Sequence, residues 1–287
     1  MLPSRRRFLE LIVASGAVAV AAPGRALGET PRAHRAHFGA ADLFVPAHFV
    51  ATGAAYDVVL HQHGVLAWQE GAFARARLNA VLVSVNLGEG STNYERWFSD
   101  PRAMGAILGQ IDRAMDKSGR IASTDHARCS RVALSGWSAG FGGVGALLAQ
   151  PASVQRIDAV LLEDGLHTSY VGANVPDRAV LAKYAAFAQL AMRGDKLFAI
   201  THSAVRAPGY ASTTETVGAL LDMTGVAKVA LASQGSAPLG ASARALYEAH
   251  RGAFHVQGFS GGGVEEHRDH VRRMDATLLP LLEARWA

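Results

Sequence analysis

The sequence predicts an α/β fold with a mostly parallel central β-sheet and helices on both of its faces. Patterns typical of buried strands alternate along the chain with patterns typical of amphipathic helices, and this alternation favours parallel strands joined by helical crossovers. Residues 131–148 show a strand, a tight turn and a helix in direct succession. Residues 29–287 are numerous enough to bury the core of one domain, and no repeat or low-complexity linker divides them.

The expected strands are short runs rich in Val, Ile, Leu and Phe. They are Tyr56–His61, Ala80–Val85, Arg131–Ser135, Ala159–Leu162, Lys196–Thr201, Val226–Leu231 and Phe254–Phe259, after an antiparallel pair, Ala36–Val45 and Ala47–Ala51, hinged near Pro46. Between them, helical spacing of apolar residues predicts helices. These are Val65–Leu78, Met104–Met115, a helix through Leu147 and Leu148, Arg178–Met192, Thr214–Leu221, Ala243–His250 and Val271–Trp286, while Gly88–Asp100 is expected to be a long loop.

The first 28 residues have the character of an export signal. A basic segment, Ser4-Arg5-Arg6-Arg7-Phe8-Leu9, precedes an apolar run from Leu11 to Ala22 that is too short to span a membrane. It resembles a twin-arginine (Tat) signal, with Glu10 where a lysine is usual. Cleavage is expected near Ala26-Leu27-Gly28 or near Ala19-Val20-Ala21. The sequence thus predicts a periplasmic or secreted protein whose partner during export is the twin-arginine machinery.

Charge and cysteine content exclude two further classes of protein. The whole chain carries 28 Lys and Arg against 24 Asp and Glu. Residues 1–28 hold four arginines and one glutamate, so 24 basic and 23 acidic side chains remain after them. This small excess does not indicate a nucleic-acid-binding surface. A single cysteine, Cys129, excludes an internal disulfide and is expected to be a partly buried bystander.

The strand–turn–helix stretch contains the pattern G-x-S-x-G, from Gly136 to Gly140, with Ser138 at its centre. On such a turn the serine hydroxyl projects above the end of the sheet. The two glycines leave room for the strained backbone of the serine. The N–H of Ala139 and the start of the helix after it are placed to stabilise an oxyanion. We therefore predict that Ser138 is a nucleophile.

Candidate partners of Ser138 follow it along the chain. Asp164 comes at the carboxyl end of a strand, where it is either the acid that orients a histidine or a turn residue before Gly165. Its neighbour Glu163 is expected to point to the opposite face of the sheet. After the last strand and a glycine run, His267 and His270 are the two candidate bases; we favour His267, which lies nearer the glycines.

The segment His61-Gln62-His63-Gly64 ends another expected strand. In serine hydrolases with this layout, a His-Gly pair here precedes the loop that provides a second oxyanion N–H, for which Val65 is the candidate. The alternative is metal ligation by His61 and His63, two histidines on one face of a strand. Residues 65–68 add no ligand, so we predict no metal site.

Together these motifs resemble the α/β-hydrolase fold family, from about residue 61 to the end of the chain. The resemblance implies a serine hydrolase, most simply an esterase- or lipase-like enzyme, that forms an acyl-enzyme on Ser138. Asp164 and His267 would complete the triad, Ala139 and Val65 would donate to the oxyanion, and no cofactor is implied. Most members place the acid one strand later than here. The substrate would be a small ester or acyl compound, whereas a peptidase, an acyltransferase and a non-catalytic binding module remain alternatives.

Overall fold

The computed structural model describes residues 32–121, 124–206, 208–231, 239–240 and 243–287. The predicted export signal, residues 1–28, lies outside them. Ten strands of the described residues form one sheet in the order β1-β2-β4-β3-β5-β6-β7-β10-β9-β8. They are β1 His34–Phe38, β2 Ala41–Val45, β3 Ala55–Gln62, β4 Val81–Val85, β5 Arg128–Trp137, β6 Ile157–Glu163, β7 Leu197–His202, β8 Val229–Ala230, β9 Ala245–Arg251 and β10 Phe254–Phe259.

The six central strands of the sheet, from β4 to β10 in spatial order, are parallel. Antiparallel strands flank them: β1 and β2 on one side, β9 and β8 on the other. All carboxyl ends of the parallel strands therefore meet at one edge, where ligand sites of such sheets form. This architecture confirms the predicted α/β-hydrolase fold class.

Helices cover both faces of the sheet. The described helices are α1 Leu66–Arg75, α2 Ser91–Phe98, α3 Ala103–Lys117, α4 Phe141–Leu148, α5 Pro151–Arg156, α6 Arg178–Met192, α7 Thr213–Thr224, α8 Val264–Arg272 and α9 Leu279–Trp286. The larger apolar cluster packs α3, α4, α6 and α7 on one face, and the smaller packs α1, α8 and α9 on the other. None of the helices in the described ranges is long and apolar enough to span a membrane.

Three elements differ from the sequence-based predictions. The first hairpin turns at Gly39, whose φ is +60°, and not at Pro46. The prediction of a helix at Ala243–His250 is wrong: Ala245–Arg251 forms β9, because pairing with β10 outweighs the helical preference of an alanine-rich segment. The expected C-terminal helix is two helices, α8 and α9, and Pro280 stands in the first turn of the second.

A fourth difference lies close to the predicted site. Gly88–Asp100 is not a plain loop, since it contains the helix α2. The side chain of Tyr94 on that helix is fully buried, and its hydroxyl contacts His63 Nδ1 at 2.9 Å. The segment therefore packs against the end of β3.

Candidate active site

Ser138 follows β5 directly, in a single 3₁₀ turn that leads into α4. Its φ is +48°, a left-handed conformation that non-glycine residues rarely adopt. Two glycines allow this turn to pack closely. A Cβ on Gly140 would overlap the carbonyl oxygen of Gln62, and a Cβ on Gly165 would lie 2.6 Å from the N of Ser138. The strained serine is thus held between the ends of β3 and β6.

Asp164 lies beside this turn, because Trp137 and Glu163 are paired in the β5–β6 register and each next residue leaves its strand. Its carboxylate is fully buried and accepts three hydrogen bonds. Ser203 donates its N–H to Oδ1 and its hydroxyl to Oδ2, each at 2.7 Å, and His267 Nδ1 donates to Oδ2 at 2.9 Å.

The charge state of Asp164 follows from these partners. Burial alone would raise the pKa of this carboxyl, but the positive charges of His270 and His267, when protonated, and the hydrogen bonds from His267 and Ser203 hold it well below its usual range. Asp164 is therefore ionised at neutral pH and stabilises positive charge on its histidine.

His267 lies in the first turn of α8, directly after the glycine run. Its side chain is 16% exposed and stacks on Trp137 with ring centroids 4.7 Å apart, while Trp137 Nε1 donates to the His267 carbonyl at 2.8 Å. Since Nδ1 is bonded to Asp164, Nε2 is the nitrogen free to act as a base. Within the described part of the chain, Ser138 and His267 share no hydrogen bond; in enzymes without substrate this contact is commonly long.

His270, the other candidate base, lies behind this pair. Its side chain is fully buried, its Nδ1 contacts the hydroxyl of Thr201 at 2.8 Å, and its Nε2 is 3.9 Å from Asp164 Oδ2. Burial lowers the pKa of His270 to about 4. It is therefore neutral at pH 7, and its geometry suits a role in packing better than proton transfer.

The turn after β3 is the second candidate oxyanion element. His63 has φ +68° and Gly64 has φ +133°. The N–H of His63 donates to the carbonyl of Val85 at 3.0 Å, and that of Gly64 donates to Asn86 Oδ1 at 3.1 Å. The next N–H, of Val65, has no hydrogen-bond partner among the described residues, so this turn leaves the predicted donor available.

The alternative of a metal site between His61 and His63 does not fit the geometry. Both ring nitrogens of His61 make hydrogen bonds, to Ser135 Oγ at 2.7 Å and to the carbonyl of His63 at 2.8 Å. The part of the chain that the structure describes contains no group of three metal-ligating side chains. Cys129 is also unsuited to nucleophilic chemistry, because burial raises the pKa of its thiol to about 12.

Two residues of the site were not predicted. Ser203 donates two of the three hydrogen bonds that Asp164 accepts. It lies just after β7, the strand at whose end most members of the α/β-hydrolase fold family, which the sequence resembles, carry the acid. Trp137 was not singled out in the sequence, although its ring stacks with those of His63 and His267. Neither had a signal in the sequence, because both sets of contacts depend on how α8 and β7 pack.

No protein-family model matches this sequence, and no curated protein matches it. The solved structures that resemble it at low identity include the following three. A siderophore hydrolase, EstB, from Aspergillus nidulans is 12% identical with a TM-score of 0.44, over 88% of this chain and 96% of the other. An alpha-beta serine hydrolase homologue from Coxiella burnetii is 12% identical with a TM-score of 0.42, over 91% of this chain and 100% of the other. TT1662 from Thermus thermophilus is 17% identical with a TM-score of 0.43, over 88% of this chain and 98% of the other.

Proposed function

We propose that this protein is an exported serine hydrolase that cleaves carboxylic esters through an acyl-enzyme on Ser138. The observation that carries the proposal is the hydrogen bond from His267 to the buried Asp164, beside a serine held at φ +48°. A carboxylate, an imidazole and a strained serine at one edge of a parallel sheet form the set that acyl transfer requires.

In the proposed reaction, His267 Nε2 takes the proton of Ser138 as Oγ attacks the ester carbonyl carbon. The tetrahedral oxyanion accepts hydrogen bonds from the N–H groups of Ala139 and Val65. His267 then gives its proton to the alkoxide as the ester C–O bond breaks. Water, deprotonated by His267, then attacks the acyl carbon; the bond between that carbon and Ser138 Oγ breaks, the carboxylic acid leaves, and His267 returns the proton to Oγ. Throughout, Asp164 fixes the tautomer of the histidine and stabilises its charged form.

Labelling of the full chain with a fluorophosphonate tests this proposal. We expect one adduct by intact mass, absent from Ser138→Ala, and a fall in ester hydrolysis on the order of 10⁴-fold or more in that variant. We expect His267→Ala to lose labelling and the matched variant His270→Ala to keep it. A folded wild-type protein that forms no adduct, or a Ser138→Ala protein with full activity, would refute the nucleophile.

Parallel assays of an ester and of the amide with the same acyl group test the substrate class. The leaving alkoxide of an ester departs more readily than an amine, so an activated serine with two backbone donors suffices for esters. Higher kcat/KM for the amide would refute the ester proposal while leaving Ser138 in its role.

Export is proposed from residues 1–28. Cell fractionation tests it with the double variant Arg5→Lys and Arg6→Lys. We expect the wild-type chain to be shortened and found outside the cytoplasm, and the variant to remain inside at full length. Equal export of the two proteins would contradict a twin-arginine signal.

A further inference from the structure

A chain of buried polar side chains runs across the sheet beneath the proposed oxyanion turn. His61 on β3 is paired in register with Ser135 on β5, and Glu163 on β6 completes the chain. All three side chains have no solvent exposure. Ser135 Oγ lies 2.7 Å from His61 Nδ1 and 2.8 Å from Glu163 Oε1, and His61 Nε2 lies 2.8 Å from the carbonyl oxygen of His63.

Counting hydrogens along this chain fixes how many protons it holds. A carbonyl oxygen only accepts, so His61 Nε2 must carry a hydrogen. If His61 is neutral, its Nδ1 is an acceptor and takes the single hydrogen of Ser135. Ser135 Oγ can then contact Glu163 favourably only by accepting a hydrogen from it. A neutral histidine therefore requires a protonated Glu163.

An ionised Glu163 satisfies the same three contacts only if His61 is a cation. The two arrangements contain the same number of protons and differ in charge separation. Burial lowers the pKa of His61 to about 3, and burial raises the pKa of Glu163 to about 8, against opposing hydrogen bonds from Ser135 and from the N–H groups of Glu163 and Gly136. Glu163 Oε2 has no partner among the described residues, a costly state for a carboxylate.

Among the residues that the structure describes, no other charged group compensates a charge on Glu163, whose pKa responds only to burial and to hydrogen bonds. On β7, Thr201 is its partner in register, and the hydroxyl of Thr201 contacts the neutral His270 of α8. The next residue, Asp164, binds Ser203 and His267 instead. The neutral arrangement is therefore favoured, with the proton on Glu163.

We propose that Glu163 keeps its proton in the folded protein and that the Glu163–Ser135–His61 chain positions the carbonyl of His63, and with it the turn that presents the Val65 N–H. That carbonyl accepts from His61 Nε2 and from Gln69 Nε2, so both of its lone pairs are used. A turn with two successive positive φ angles, at His63 and Gly64, depends on such outside contacts. Glu163 is thus a positioning residue, and its effect on catalysis rests on the proposed hydrolase function.

Infrared difference spectroscopy tests the protonation state whether or not the protein is a hydrolase. At pH 6.5, the wild-type spectrum minus that of Glu163→Gln should contain the C=O band of a protonated carboxylic acid. The band should shift on ¹³C labelling of glutamate and vanish as the pH is raised past about 8. A carboxylate band in its place at pH 6.5 would overturn the proposal in favour of the charged pair.

Kinetics test the positioning role. In wild type, kcat should fall at alkaline pH as Glu163 loses its proton, with KM changing less. Glu163→Gln supplies a neutral N–H donor to Ser135, so it should keep the neutral-pH rate within about twofold and lose the alkaline fall. Ser135→Ala should lower kcat about tenfold by loosening the turn. An alkaline fall that persists unchanged in Glu163→Gln would refute the role, and infrared bands as expected without any ester hydrolysis would refute only the hydrolase function.

Discussion

Glu163 and Asp164 are consecutive acidic residues, and both are fully buried. Their charge states nevertheless differ, because Asp164 is negatively charged and Glu163 is neutral. Asp164 accepts hydrogen bonds from Ser203 and His267 and is ionised. Glu163 has one side-chain contact, with Ser135, and an oxygen with no partner among the described residues, so the proton is retained. With equal burial, the different partners of the two carboxyls account for their different charge states.

The difference originates in the backbone. Glu163 is the last residue of β6, and its side chain points into the face covered by α1 and α8. Asp164 leaves the strand with φ +45°, which turns its side chain towards the ends of β7 and α8. One peptide step thus separates a charged group that acts on His267 from a neutral group that acts on the turn after β3.

The largest expected effect comes from neutralising each acid in turn. Asp164→Asn keeps the shape of the side chain but removes the acceptor that holds the His267 tautomer, and kcat should fall on the order of 10⁴-fold. Glu163→Gln, the matched change one residue earlier, should alter kcat at pH 7 by no more than about twofold. Steady-state ester hydrolysis by both purified variants measures this. Similar losses of kcat in the two variants would contradict the different roles that we assign to the two acids.

The second effect is on stability as a function of pH. Burial raises the folded-state pKa of Glu163 to about 8 from its ordinary value of 4.5. Between these values the folded protein holds a proton that the unfolded chain has released. The free energy of unfolding should therefore fall as the pH rises, by about 1.4 kcal/mol per pH unit from this residue, and flatten outside that window.

Urea unfolding of wild type and Glu163→Gln at pH 5, 6.5 and 8 measures this contribution. The variant should gain stability relative to wild type as the pH rises, because its amide does not titrate. For Asp164 we predict the opposite pH dependence, in a lower pH range. Because its folded-state pKa is lowered, ionised Asp164 adds to the free energy of unfolding above its unfolded pKa of 3.8. This contribution is lost as the pH falls below 3.8. Parallel wild-type and variant curves from pH 5 to 8 would show that Glu163 is ionised in the folded protein.

Sequence reasoning named the parts of the candidate site that depend on strand ends, and their catalytic roles stay predictions. Ser138, Asp164 and the turn at residues 61–65 each follow a strongly apolar strand, and parallel strands bring such ends to one edge. It could not find the contacts of Trp137 with His267, or the hydrogen bonds from Ser203 to Asp164, since these depend on how α8 and β7 pack. For the same reason, β9 was mistaken for a helix: its partner strand, and not its own composition, decides its conformation.

The smallest expected effect concerns Ser203, which contributes to the charge of Asp164 without contacting His267. Ser203→Ala keeps the backbone N–H bonded to Oδ1 but removes the hydroxyl that donates to Oδ2, the oxygen shared with His267. The pKa of Asp164 should rise and the histidine should be held less firmly, so we expect kcat to fall about tenfold. Ser203→Thr retains a hydroxyl and serves as the control; it should lie closer to wild type. An unchanged kcat in Ser203→Ala would mean that His267 and the Ser203 N–H alone keep Asp164 ionised, and two donors would then suffice to separate the charge states of the two acids.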